Sequence, residues 1–522
     1  MIHKFLSEIA YKMPDKVAVI QGKRCVTYGD LYLGVSRLAA FLLDRGVQVS
    51  DRVAIMILNS PEYIISYLGV QQAGGISVAL NPQYSAYELK KIFDNCLPDV
   101  LVVERKYLKA VMKTIDNGTS LKTLIIVDSQ GMKGPSLISN KKEKVISGIS
   151  CFNLQDILKN AKNENTYPAI TEKDIASIHY TSGTTGEPKG VMLSHSNFIT
   201  NANSIIKYLN LTEDDRAMVV LPFYYSYGTS VLTTHIKVCG SLVLENSFMY
   251  PNVVLDKMVE EEVTGFAGVP STFAILLNRS NIRNYSFSKL RYVTQAGGPM
   301  PPGHTRELAE ILSDTEIYIM YGQTEATARL TYLPPEDLLK RPGSIGKPVP
   351  AVEIELIKMK DVEEKEIVCT GGNVMVGYWN DPEETKKVLR GGRLYTGDTA
   401  RMDDEGYLYI VGRKSDMIKS GAHRISPKEI EEIILEMPEV HEAAVVGIED
   451  EVMGESIKAV IVLKDGLKME AKKVQKHCMQ KLAPFKIPKE VVFVKDYPRT
   501  SSGKVQKHLL KTPQKVTGHK LI

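Results

Sequence analysis

The chain has 522 residues, with 65 Lys+Arg against 61 Asp+Glu for a formal net charge of +4, and 43% apolar and 24% charged residues. This is ordinary globular composition, long enough for roughly three domains with sizeable cores, so a disordered chain or a small stapled scaffold is excluded. The near-balance of charge leaves no electrostatic footprint for nucleic acid, and no apolar run approaches the ~18 residues of a membrane span.

The first ten residues lack the apolar core of a signal peptide, so a soluble cytoplasmic protein, monomer or homodimer, is expected. Cys25, Cys96, Cys151, Cys239, Cys369 and Cys478 form no CxxC pair, as expected of structural thiols in a reducing compartment. Short β-branched runs then alternate with longer amphipathic stretches: a strand over 53–58, a helix over 63–72, and strands over 76–80 and 123–128. That alternation predicts α/β layers with largely parallel sheets. Residues 129 to about 150 turn polar and lose the period, which predicts an exposed loop. After about residue 400 the pattern becomes compact α+β. It has a strand over 406–411, a polar break from Gly412 to Asp416, and a helix over 427–437 with Ser426 as N-cap and Pro427 at its first position. Strands over 443–447 and 459–463 and a lysine-rich helix over about 469–481 complete it. The predicted boundary lies near Ser415, dividing 1–414 from 415–522, with no internal repeat.

The densest chemical signal is Tyr180-Thr181-Ser182-Gly183-Thr184-Thr185-Gly186-Glu187-Pro188-Lys189-Gly190, directly after the strand-like Ala176-Ser177-Ile178-His179. Hydroxyls and glycines packed this closely let main-chain N–H and side-chain O–H groups converge on phosphate oxygens, and Lys189 adds a cation. The GxxxxGK[ST] spacing of a Walker loop is absent. A flexible linker would need neither the Pro-Lys-Gly ending nor the strand before it.

This stretch resembles the signature of the adenylate-forming superfamily: acyl-CoA synthetases, acyl-AMP ligases, luciferases and nonribosomal-peptide adenylation domains. Val26 to Leu31, Asp51 to Ile55, Asn59 to Glu62 and Ala73 to Gly75 resemble its opening motifs. Gln295 to Met300, Tyr321-Gly322-Gln323-Thr324-Glu325-Ala326-Thr327, Leu394 to Asp398, Gly412-Arg413 and Pro498 to Lys504 resemble its later ones, in order. The resemblance implies an α/β chain with a large N-terminal domain of layered α/β subdomains plus a small mobile α+β C-terminal domain. It also implies ATP and Mg²⁺, with CoA or the phosphopantetheine of a carrier protein as acceptor.

A carboxylate approaching the α-phosphorus of ATP meets like charge, so the site needs cations, donors and a metal. By resemblance, Thr181, Ser182, Gly183, Thr184, Thr185, Gly186 and Lys189 hold phosphates, with Thr184 also at the reacting group. Glu325 is the Mg²⁺ ligand, since that ion takes one or two hard carboxylates and otherwise prefers water and phosphate. Tyr321 stacks on adenine, Gly297, Gly298 and Pro299 line it, and Gly322 and Thr324 flank the phosphates. Asp398 takes the ribose hydroxyls with Arg413 beside it, although the two could simply form an ion pair. Lys504 neutralises the carboxylate and α-phosphate during adenylation. A small domain turning about Ser415 then clears the way for a thiol through a tunnel lined by Lys419 and Gly421.

Acid specificity is expected from Leu221 to Gly228 with Val269 and Ala328; Tyr225 stands where relatives often have histidine, beside Gly228. No carboxylate lies between Leu221 and Val231 to pair a substrate ammonium, which favours an apolar acid, although the tyrosines could equally be core packing. Lys472, Lys473, Lys476, Lys481, Lys486 and Lys489 could meet the 3′-phosphate of CoA or an acyl carrier protein, or simply be solvated. The expectation is ATP-dependent activation of an aliphatic acid to acyl-AMP and its transfer to a thiol. The alternative is a stand-alone amino-acid or aryl-acid adenylation enzyme that loads a peptidyl or aryl carrier protein.

Overall fold

The computed structural model describes residues 1–115, 119–128, 144–146, 148–161, 166–182, 188–359, 365–413, 416–420, 423–450, 454–499 and 505–511. Contacts divide the chain into two compact units, Met1–Glu353 with Cys369–Leu394, and Ile354–Val368 with Tyr395–Ile522. Ser415 lies outside the described residues.

The first unit holds two sheets, each nine-stranded among the described residues. In one, the central strands Val17–Gln21, Ser241–Leu244, Arg216–Val219, Gly265–Gly268, Tyr292–Gln295 and Glu316–Tyr321 run parallel. In the other, Ile175–Ser182, Ile76–Ala79, Arg52–Met56, Val100–Glu104, Thr123–Val127 and Ile149–Asn153 do so. Arg52–Met56, Ile76–Ala79, Val100–Glu104, Thr123–Val127 and Ser241–Leu244 are largely apolar runs buried on both faces, as a helix-covered parallel sheet requires.

Helices start where side chains satisfy their first amides. Thr27 with Asp30, Ser85 with Glu88 and Ser194 with Asn197 form reciprocal capping boxes, and Ser60 caps the helix Pro61–Gln72. Each such cap contributes about 1 kcal/mol. The helix expected over 63–72 begins earlier and is not amphipathic: every one of its positions is buried. It crosses the helix Tyr28–Asp44 where glycines permit close approach; a Cβ on Gly34 would fall 2.7 Å from Ile65 Cδ1. On another side Tyr63 packs on Tyr67 and Phe223, with ring centroids at 5.9 and 5.6 Å.

The loop expected to run to about 150 is shorter, because Lys144–Ile146 and Ile149–Asn153 pair as an edge hairpin. Asp215, almost wholly buried, accepts from Arg291 Nη2 at both carboxylate oxygens at 2.9 Å and from the Thr264 hydroxyl at 2.8 Å, tying the lower ends of three parallel strands together. Four histidines, His3, His179, His195 and His235, are also buried. His195 opens the helix His195–Leu209, accepts a bond from the Ile2 amide at Nδ1 (3.3 Å) and meets His3 edge to face at 5.7 Å, while His179 sits inside the strand Ile175–Ser182.

In the second unit, Gly454–Leu463 is the central strand, antiparallel to Val440–Asp450 and parallel to Glu490–Val494. Alternation along it serves two cores. Ile457, Ala459 and Ile461 face the helices Pro427–Leu435 and Ala471–Met479, whereas Val460 and Val462 face Tyr497 and Leu510. Ser426 does not cap the first of these helices as expected; its hydroxyl donates to the Val411 carbonyl at 2.7 Å and fastens the helix start to the preceding strand Leu408–Arg413. No helix among the described residues is long and apolar enough to cross a membrane, and all six cysteines are free.

Candidate active site

The Ser/Thr/Gly motif bridges two antiparallel strands. Ile175–Ser182 pairs with Pro188–Ser194, so that Ser182 faces Pro188 and Thr181 faces Lys189. A Walker loop runs from strand to helix, whereas this one runs from strand to strand. Gly183, Thr184, Thr185 and Gly186 lie outside the described residues. At the near end of the returning strand the Lys189 ammonium bonds Glu384 at 2.5 Å and lies 5.4 Å from the centre of the Tyr378 ring. Lys189 and Lys387 both bond Glu384, which holds its carboxyl down at about 2.

Tyr378 connects this lysine to the next motif. Its hydroxyl donates to Glu325 Oε1 at 2.9 Å, and its own amide is held by the Thr385 hydroxyl at 2.9 Å. Glu325 sits in the one-turn helix Thr324–Ala326 that follows the strand Glu316–Tyr321. The loop after it is strained: Thr327 and Ala328 have φ of +51° and +92°, a region that costs non-glycine residues of order 1–3 kcal/mol. Asn373 holds it there. Its side chain donates to the Ala326 and Arg329 carbonyls at 3.1 and 2.7 Å, and its carbonyl accepts the Thr327 hydroxyl at 2.6 Å. Gly322 has no alternative, because a Cβ there would lie 2.0 Å from the Ala328 carbonyl oxygen.

The other expected residues of this unit gather around the same loop. Thr324 Oγ1 is 3.2 Å from Ser226 Oγ at the start of the helix Ser226–Lys237. A Cβ on Gly297, at φ +90°, would lie 3.1 Å from Val269 Cγ1, and Gln295 spans the Gly297–Gly298 turn with a 2.8 Å bond to the Gly298 carbonyl. Gly297, Gly298 and Pro299 are exposed, an open ledge beside half-buried Tyr321. Tyr225 is the residue before the helix Ser226–Lys237; its hydroxyl accepts a 3.4 Å bond from Asn81 and its ring packs on Tyr224 at 4.7 Å. Gly228 is obligatory, since a Cβ would fall 2.0 Å from the Pro222 carbonyl oxygen. Asn59 clamps this segment, donating to the Leu221 carbonyl at 2.9 Å and accepting the Phe223 amide at 2.8 Å.

In the second unit, Asp398 and Arg413 face each other across a hairpin and form an ion pair at 3.2 Å. Thr396 and Glu366 fix the turn before Asp398 by accepting the amides of Asp398 and Gly397. Lys419 lies in the strand Ile418–Ser420, opposite Arg424. Ser415, Gly421 and Lys504 lie outside the described residues.

The AMP-binding enzyme family model matches residues 6–379, and the AMP-binding enzyme C-terminal domain model matches residues 429–504. This chain belongs to the AMP-binding enzyme family. As a member it is an adenylate-forming acid–thiol ligase. A long-chain-fatty-acid–CoA ligase of Bacillus subtilis (strain 168) is 32% identical, covering 96% of this chain and 92% of its own length. A mitochondrial medium-chain acyl-CoA ligase of Mus musculus is also 32% identical, covering 95% and 85%. Among solved structures, ATP-bound MatB from Rhodopseudomonas palustris superposes with a TM-score of 0.85 at 29% identity, covering 98% of both chains. The o-succinylbenzoate CoA synthetase of Bacillus subtilis with its acyl-adenylate gives 0.83 at 28%, covering 98% of both.

The residues of this AMP-binding enzyme fit a metal-bound nucleotide. Mg²⁺ asks the protein for one or two carboxylates and takes its other ligands from phosphate and water. Glu325 offers one, steadied at Oε1 by Tyr378 and with Oε2 unbonded among the described residues. No group of three or more His, Cys, Asp or Glu among those residues could hold a metal by itself. Tyr378, Asn373 and Glu384 are the members of this site that motif reading misses, and Asn59 lies in a motif whose reading gives it no role. Phenylalanine at 378 keeps the ring under Lys189 and removes the bond to Glu325. The Mg²⁺ needed for half-maximal pyrophosphate release should therefore rise about tenfold, as for other groups that orient metal ligands; an unchanged Mg²⁺ titration would show that Tyr378 does not position the carboxylate.

Proposed function

We propose that this enzyme activates an aliphatic carboxylic acid with ATP and Mg²⁺ and passes the acyl group to CoA, acting in the cytoplasm. The observation that carries the acid class is the segment Leu221 to Gly228. It is walled by buried Phe223, Tyr224 and Tyr227 and contains no carboxylate that could take a substrate ammonium. The similarity to long-chain and medium-chain acyl-CoA ligases over nearly the whole chain supports the same reading.

In the first half-reaction a carboxylate oxygen of the acid attacks the α-phosphorus, the bond to the bridging oxygen breaks, and pyrophosphate leaves. Thr181, Ser182, Gly183, Thr184, Thr185, Gly186 and Lys189 hold the phosphates. For Lys189 to reach them it must exchange Glu384 for the nucleotide. Glu325, held by Tyr378, and Thr324 face the reacting end, while Tyr321 and the Gly297–Pro299 ledge take adenine. Bound Mg²⁺ supplies positive charge against the leaving pyrophosphate. Asp398 with Arg413 takes the ribose, and Lys504 offsets the charge of the incoming acid and α-phosphate. In the second half-reaction the thiol sulfur attacks the acyl carbonyl, AMP leaves with the bonding pair, and the thiol proton passes to solvent. Turning about Ser415 exchanges Lys504 for the tunnel at Lys419 and Gly421.

The test is ATP-dependent pyrophosphate release with acetate to palmitate, benzoate and the amino acids, each with CoA, with a carrier protein, or with no thiol. Release driven by an aliphatic acid and completed by CoA is expected. Selective release with an amino acid or an aryl acid would overturn the acid class, and turnover only with a carrier protein would move the acceptor.

A further inference from the structure

Arg499 belongs to the motif that ends at Lys504, and nothing above gives it a task. Its Nη2 donates to both Glu442 carboxylate oxygens at 2.7 Å, its Nε lies 3.5 Å from Asp496 Oδ1, and its guanidinium lies 5.7 Å from the centre of the Tyr497 ring. Arg499 also pairs with Val505 as an antiparallel bridge, and the Gln506 amide donates to the Pro498 carbonyl at 2.8 Å. The chain therefore leaves at Arg499 and is back beside it at Val505. Lys504 is one peptide bond from Val505, about 3.8 Å between Cα atoms.

An irregularity in the strand Val440–Asp450 aims Glu442 at this place. Val440 pairs with Leu463 and Glu442 with Val462, so His441 is an extra residue and the strand bulges there. Without the bulge Val440 and Glu442 would share a face. With it, Val440 enters the core under the helices Pro427–Leu435 and Ala471–Met479, and by alternation Glu442 joins Ala444 and Val446 on the face covered by Tyr497 and Leu510. Beyond Lys504 the chain is held as well. Val505 packs against that second core, and Lys507 Nζ bonds Glu431 at 2.6 Å, which itself accepts the Val445 amide at 2.7 Å. Both ends of the segment 500–504 are thus tied to one strand, directly through Glu442 and through Glu431 by way of Val445.

The fold does not depend on the first of these ties. Arg499 and Glu442 are 27% and 34% exposed, a setting in which an ion pair adds little to global stability. Tyr497 is anchored without it, buried and donating its hydroxyl to the Val460 carbonyl at 2.8 Å. What the pair restricts is the point at which the chain enters the segment that carries Lys504. We propose that Glu442 is a positioning residue for adenylation, which through Arg499 fixes the start of that segment so that the Lys504 ammonium meets the acid carboxylate and α-phosphate with little freedom left to lose. This rests on the ligase reading above, in which Lys504 serves the first half-reaction and is withdrawn for the second. Glu442 touches no substrate and acts only while Lys504 acts. Its removal slows acyl-AMP formation and leaves thioester formation alone, an asymmetry that general damage to the domain would not produce.

The experiment times the two half-reactions separately for the full chain and for Glu442→Gln, Arg499→Lys and Lys504→Ala. The first is ATP–pyrophosphate exchange with whichever aliphatic acid from acetate to palmitate turns over fastest. The second is thioester formation from CoA and the chemically prepared acyl-AMP of that acid. K504A sets the scale, with exchange lost and thioester formation kept. E442Q should slow exchange about tenfold, with thioester formation within about twofold of native and the unfolding temperature unchanged. R499K keeps a cation for Glu442 and should lose only about threefold in exchange. Exchange within about twofold of native in E442Q, beside an inactive K504A, would overturn the proposal alone, as would equal losses in both half-reactions. If E442Q does not fold, the split between half-reactions in R499K decides by the same criterion. Unimpaired exchange in K504A, or no exchange with any acid, would refute the ligase reading of Lys504 and the proposal with it.

Discussion

Glutamine at position 325 is expected to slow pyrophosphate release about a hundredfold to a thousandfold while leaving the fold intact, the scale seen when a charge-stabilising group is removed from a preorganised site. The amide is isosteric with the carboxylate, so it can still accept the Tyr378 hydroxyl through Oε1, and the Glu325 carbonyl that receives the Met375 amide at 2.8 Å belongs to the backbone. What changes is one unit of negative charge at the oxygen that Tyr378 leaves free. Pyrophosphate exchange titrated with Mg²⁺ and Mn²⁺, beside the unfolding temperature, separates the cases. A steep loss that excess metal partly restores, at an unchanged unfolding temperature, assigns Glu325 to the metal. A rate within twofold of native would remove it from that role.

The second large effect concerns stability in mild acid. Burial holds His3 and His179 near about 4, and burial with the neighbouring His3 holds His195 near about 3, against 6.5 for an exposed imidazole. Folded, all three stay neutral at pH 5; unfolded, all three take up protons. Stability is therefore fully present above about pH 6.5 and falls as pH drops toward about 4. The loss at pH 5 is about 2 kcal/mol for each ring and about 6 kcal/mol together, much of a typical domain's total. Urea unfolding of the native chain from pH 7.5 to 4.5 should show the midpoint falling steeply below pH 6.5. His195→Asn should shift the native midpoint at pH 7.5 and flatten the slope by about one proton. A midpoint flat from pH 7 to 5 would show that the rings are charged in the folded protein.

The strands and the division into parallel-sheet layers are legible in the chain because buried parallel strands are short continuous apolar runs, and these occur where they are expected. Tyr321, Thr324, Glu325 and Gly297 to Pro299 can be picked out as candidates because their residue types come as local, ordered motifs. What escapes is what tertiary contact creates. The helix Pro61–Gln72 reads as amphipathic because Glu62, Ser66, Gln71 and Gln72 are polar, yet burial surrounds it and Ser66 satisfies itself on the Glu62 carbonyl at 2.7 Å. Ser426 has the right type and place for a cap, but its hydroxyl is turned away from the helix amides to donate to the Val411 carbonyl. Tyr378 is 53 positions from Glu325 and Glu384 is 195 from Lys189, so no local pattern announces either pair. Arg329 looks like one more surface cation until the fold buries it.

The strand Val17–Gln21 lies beside Ser241–Leu244, with Val19 opposite Leu242, and the hairpin strand Arg24–Thr27 hangs from its other edge. During synthesis the first strands therefore emerge without their neighbour. At 5 to 20 residues per second the ribosome needs on the order of ten to forty seconds to reach it, far longer than a hairpin takes to form. Through that interval an apolar edge is bare and able to pair with another nascent chain. The crowding of translating ribosomes and the supply of holding chaperones thus become determinants of yield, and a chain stopped before Ser241 is left with a sheet that has no centre.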